Sequence, residues 1–129
     1  MIFVHITSAL AMGGMFFVLW GYLPLVWRLR DPVGRVLAVA VAVLALAWTL
    51  RSFWWDWARI FLGSNWPAVR DTMGGLDMNG AFNLLVIVSA YLFLRARLLA
   101  IPEPERAHWR WWNAWAHPAQ RCIIPWRRK

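Results

Sequence analysis

Residues 1–27 read MIFVHITSALAMGGMFFVLWGYLPLVW, and no Asp, Glu, Lys or Arg interrupts them. About 20 residues at 1.5 Å each cross a hydrocarbon core of roughly 30 Å, so the stretch is long enough to span a bilayer as one helix. A cleaved signal peptide would carry basic residues ahead of a shorter apolar centre, whereas Arg28 and Arg30 follow this run. A retained span over residues 2–26 is therefore expected. Val36 to Leu50 (VLAVAVAVLALAWTL) is shorter, and it reaches bilayer thickness only by adding Phe53, Trp54 and Trp55 while Arg51 snorkels. This gives a second span over 36–55. Met78 to Leu94, closed by Arg95 and Arg97, gives a third over 78–96.

The composition agrees. Of 129 residues, 61% are hydrophobic and 16% charged, against about 45–50% and about 25% in a soluble domain. A chain this short cannot bury so much apolar surface in its own core. The 12 tryptophans suit a chain with many membrane–water boundaries, where an amphipathic indole is stable. The single cysteine, Cys122, excludes an internal disulfide. The expected fold is all-α: an integral membrane domain with three transmembrane helices over residues 1–100, then a basic, Trp-rich tail over 101–129 carrying an interfacial amphipathic helix.

Positive residues in short loops resist translocation, so their placement orients the spans. Arg28, Arg30 and Arg35 outweigh Asp31 after the first span. Between the second and third, Arg51, Arg59 and Arg70 balance Asp56, Asp71 and Asp77. From Arg95 onward the charge is strongly basic, and it supplies most of the net +8. Basic, neutral, basic predicts the N-terminus outside and the C-terminus in the cytoplasm of a bacterial inner membrane.

In RSFWWDWARIFLGSNWP, helical spacing puts Phe53, Trp54, Trp57, Ile60 and Phe61 on one face and Ser52, Asp56 and Arg59 on the other. Two readings are open: a continuation lying in the outer interface, or a long helix leaving the membrane. Gly63 and Pro67 supply the stop. In ERAHWRWWNAWAHP, Trp111, Trp112 and Trp115 cluster opposite Arg106, Arg110 and Asn113. Such a helix lies among cytoplasmic headgroups, indoles below and arginines on anionic phosphates. The closing Ile123–Lys129 repeats this chemistry with Trp126. Trp54, Trp55, Trp57 and Trp109 are further interface anchors. Beside a span, this basic aromatic pattern indicates lipid and not nucleic acid.

No catalytic, metal or cofactor site is expected. His5 is separated from His108 and His117 by the membrane in this topology, and no second span carries a histidine to pair with it on a haem. None of the apolar cores contains Asp, Glu or Lys, which disfavours proton-driven transport. Only His5 could serve Thr7 or Ser8 as a base, so the chain is not read as an enzyme. Asn79 and Asn83 share a helix face. Ala9 with Gly13, and Ala38, Ala42 and Ala45, form small-residue stripes that predict close helix packing, within the chain or between copies.

The layout resembles that of class I holins, small phage membrane proteins with three spans, an outside N-terminus and a basic cytoplasmic tail, here ending WRRK. The resemblance covers the whole chain and is one of layout. It implies lateral oligomerisation through small-residue faces, with Asn79 and Asn83 on partners or on a lesion lumen. Two other functions fit the residues: a non-catalytic accessory or anchor subunit of a larger membrane complex, and a surface protein whose tail recognises anionic lipid.

Overall fold

A computed structural model describes residues 2–73 and 75–123. The closing Ile-Pro-Trp run with Trp126, expected at the interface, lies outside the described residues. The elements are α1 (Ile2–Arg28), α2 (Pro32–Ser52), a π-helical turn (Phe53–Ala58), α3 (Arg59–Leu62), α4 (Trp66–Thr72) and α5 (Gly75–Leu99), followed by short 3₁₀ turns. Among the described residues every regular element is helical, and three stretches are long and apolar enough to cross a membrane.

The α1–α2 turn is closed by local chemistry. Asp31 caps α2, accepting from the Gly34 N–H at 2.7 Å, and Pro32 occupies the first turn, where its missing donor costs nothing. A Cβ on Gly34 would stand 3.2 Å from that carboxylate. Arg35 reaches back to the Leu29 carbonyl, with its Nε at 3.2 Å and Nη2 at 2.9 Å.

Helix α2 is central, packing against α1 on one side and α5 on the other. Five of its alanines are buried, and the 100° helical step sorts them. Ala40 and Ala47 share one face, and the buried Ser89 of α5 donates to the Ala40 carbonyl at 2.8 Å. Ala38, Ala42 and Ala45 occupy the opposite face, turned toward α1. Small side chains on both faces let neighbouring backbones approach closely, where dispersion and carbonyl-directed hydrogen bonds hold helices together.

Beyond Ser52 the helix does not stop. It runs through the π turn to Leu62, a continuity that both readings of this stretch share. Gly63 ends it at φ +52°, a conformation that L side chains rarely adopt. Pro67 then opens α4 and does not end the preceding helix. Trp54, Ala58, Trp66 and Phe82 form a buried cluster at this end, with Trp55, Leu62, Val69 and Met78 packed around it.

The tail departs from the expected single amphipathic helix. Glu103–His108 and Ala114–Ala116 are separate 3₁₀ turns, and Trp109 between them is extended. Side-chain hydrogen bonds compete successfully with the α-helix here. Arg106, expected on headgroup phosphates, instead caps α5, donating to the Ile101 carbonyl at 2.8 Å and the Leu99 carbonyl at 3.1 Å. Asn113 Oδ1 accepts from the Arg110 N–H at 2.7 Å. His117, 6% exposed, accepts at Nδ1 from the Ala119 N–H, so its Nε2 carries the proton and donates to Glu105 at 2.7 Å. Gln120 donates to the Arg97 carbonyl, tying the tail to the foot of α5.

Candidate functional site

The polar groups of the helical layer collect where the π turn meets α1. Thr49 bonds back to the Ala45 carbonyl at 2.8 Å, and the Phe53 N–H is shared between the carbonyls of Thr49 and Leu50. These contacts loosen the α ladder at the point where it widens. A wider turn changes which side chains face inward. Trp54 and Ala58 turn inward, whereas Phe53, Ile60 and Phe61 are exposed. The face expected from regular α spacing is thus split.

Asp56 is displaced by the same change. It accepts a 2.6 Å hydrogen bond at Oδ2 from the buried Ser8 of α1, while it shares a cavity wall with Ser52, and the exposed Arg59 is not on that wall. His5, one turn before Ser8, faces Trp57 with ring centroids 6.2 Å apart. The buried His5 Nδ1, Trp54 Nε1 and Trp57 Nε1 have no partner among the described residues, each an unused hydrogen-bonding group of the kind that costs about 1–3 kcal/mol.

A groove opens beside this cluster. One cavity of about 350 Å³ is lined by Trp48, Arg51, Ser52, Trp55 and Asp56. A second, of about 210 Å³, is lined by Ala47, Trp48, Arg51, Phe82, Asn83 and Val86. Trp48 and Arg51 belong to both. Roughly 20 residues separate Ser8 from Arg28 on α1, or about 30 Å, one hydrocarbon thickness. With the basic turn at one face of a bilayer, the cluster and groove stand at the other.

In a nucleophile–base–acid relay the serine bonds the imidazole and the imidazole bonds the carboxylate; here Ser8 bonds the carboxylate directly, and His5 Nδ1 has no partner among the described residues. Among the described residues no group of three His, Cys, Asp or Glu side chains is placed to hold a metal.

The residues singled out from the sequence fall into different places. Ala38, Ala42 and Ala45 are buried in α2, whereas Ala9 is exposed and a Cβ on Gly13 would meet nothing within 4 Å, so among the described residues that stripe packs against no other helix. Asn79 accepts from Trp55 Nε1 at 2.9 Å, and Asn83 lines the groove. Trp54 is a core residue rather than an interface anchor, 8% exposed and edge-on to Trp66 at 5.0 Å. Trp55 and Trp57 are half-buried. Trp109 is half-buried and T-shaped on His117 at 4.8 Å. Trp111, Trp112, Trp115 and Arg110 are exposed on the tail. The Ser8–Asp56 link was missed from sequence. Its only signal was a serine in an apolar run and an aspartate among tryptophans. Comparison with protein-family profiles, with characterised proteins and with solved structures found no match.

Proposed function

We propose that the chain is a small, non-catalytic protein of the bacterial inner membrane that works by lateral self-assembly in the manner of a phage holin, N-terminus outside and basic tail in the cytoplasm. The observation that carries this reading is the outer surface of α1. Phe3, Leu10, Phe17 and Trp20 are each more than 70% exposed, and Gly13, Gly14 and Gly21 have open space where a Cβ would stand. A surface with glycines recessed between large apolar groups allows a second helix to approach its backbone.

Controlled expression in a bacterium, with membrane potential and viability recorded, tests the permeabilising part. Potential is expected to collapse above a threshold abundance, and an unchanged potential at high abundance removes it. In a Cys122→Ser background, Gly13→Cys should cross-link into dimers faster than Ala11→Cys, which lies on another side of α1. The exposed Trp111, Trp112 and Trp115 on a folded tail favour a second reading, an accessory subunit whose tail docks on a larger complex. That reading requires co-purification with one defined partner and no loss of potential.

A further inference from the structure

The groove at the π turn has a division of chemistry that suits one class of ligand. Its outer cavity is walled by a guanidinium, Arg51, and a carboxylate, Asp56, with the Ser52 hydroxyl and the indoles of Trp48 and Trp55 between them. Among the described residues Arg51 and Asp56 form no ion pair with each other. Ser8 occupies Asp56 Oδ2, and Oδ1 accepts from no described residue. The second cavity shares Trp48 and Arg51 with the first and is lined further by Ala47, Phe82 and Val86, about one helical turn deeper along α2, with Asn83 on its wall. Along α2 and the π turn, Arg51 and Asp56 stand roughly 24–30 Å from Arg35, the depth at which the opposite phosphate layer begins.

We propose that this groove is a binding site for a zwitterionic phospholipid, phosphatidylethanolamine, in the leaflet at the π-turn end. The phosphate sits on Arg51, whose forked donors match it, with the Ser52 hydroxyl alongside. The primary ammonium sits on Asp56 Oδ1 between the faces of Trp48 and Trp55, where cation–π attraction adds to the charge pair. One acyl chain runs down the apolar second cavity, and Asn83 meets the ester region. The two opposite charges lie five residues apart, about 7 Å along the helix axis, which separates a site for phosphate from a site for amine. A headgroup with phosphate alone satisfies only Arg51 and leaves Asp56 facing an anion.

The test is lipid retention by the full-length chain released from detergent in native mass spectrometry, with phosphatidylethanolamine and phosphatidylglycerol offered in competition. The wild-type chain is expected to retain the ethanolamine lipid preferentially. Arg51→Gln should lower retention of both lipids at least about tenfold, while Arg59→Gln, an exposed arginine outside the groove, leaves it unchanged. Asp56→Asn should abolish or reverse the preference while retention persists. Ser8→Ala, which removes the inter-helix bond and keeps the carboxylate, should preserve it. Equal losses for Arg51→Gln and Arg59→Gln would reduce the effect to unspecific annular lipid and overturn the proposal. A preference that survives Asp56→Asn, or that Ser8→Ala abolishes equally, would overturn the assignment of Asp56 to the amine.

Discussion

Substituting Ala40 by leucine tests the central claim of the fold, that α2 is held between its neighbours by alanine faces. Ala40 is fully buried, and its carbonyl accepts from Ser89 across the α2–α5 seam at 2.8 Å. Leucine adds three carbons where no space exists, an overpacking that costs about 1–3 kcal/mol. Forcing the helices apart also breaks the Ser89 bond, worth about 0.6–1.7 kcal/mol between helices in a membrane protein. The combined expectation is roughly 2–5 kcal/mol. Ser89→Ala isolates the second part and should cost about 1 kcal/mol. Ala90→Leu, exposed beside Ser89 on α5, should cost under about 0.5 kcal/mol. Reversible unfolding by sodium dodecyl sulfate in mixed micelles, followed by far-ultraviolet circular dichroism, measures all three. If Ala40→Leu and Ala90→Leu unfold at the same denaturant fraction, the α2–α5 seam is not packed through this alanine and the reasoning fails.

Gly63→Ala places a Cβ at φ +52° and should destabilise the π-turn end by about 1–2 kcal/mol, seen in the same titration; no change would mean the turn relaxes without its positive φ. Trp66→Ala removes the indole that meets Trp54 and Trp55 edge-on and should cost about 3 kcal/mol or more, with a fall in near-ultraviolet dichroism. His117→Ala deletes the links to Glu105 and the Ala119 N–H. Limited proteolysis should then cut between Glu103 and Gln120 several times faster than in the wild-type chain while α1, α2 and α5 stay protected. Reporters fused after Pro32, Ser64 and Lys129 test orientation, and a periplasmic signal at Lys129 would reverse the one proposed.

The three long helices were legible because a span needs only length and apolarity, and no tertiary detail alters that requirement. The Ala38, Ala42 and Ala45 stripe was legible for a related reason, since regular α geometry makes sequence spacing and facing equivalent. The opposite stripe, Ala40 and Ala47, was as visible by period but had no sign of its partner, because Ser89 reaches a main-chain carbonyl that no side-chain pattern reports. At Phe53–Ala58 the equivalence itself fails: a widened turn changes the step, so Trp54 faces inward, Phe61 outward and Asp56 meets Ser8. In the tail, Arg106, Asn113 and His117 satisfy backbone groups that a continuous α-helix would satisfy by itself, and a helical wheel does not include that alternative. The groove depends on both failures of regularity and on one success. The π turn brings Asp56 within the wall that Arg51 begins, and the small Ala47 leaves room against α5. Its ligand chemistry therefore could not have been read from spacing, although each residue that forms it lies in a stretch the sequence had marked as span or interface.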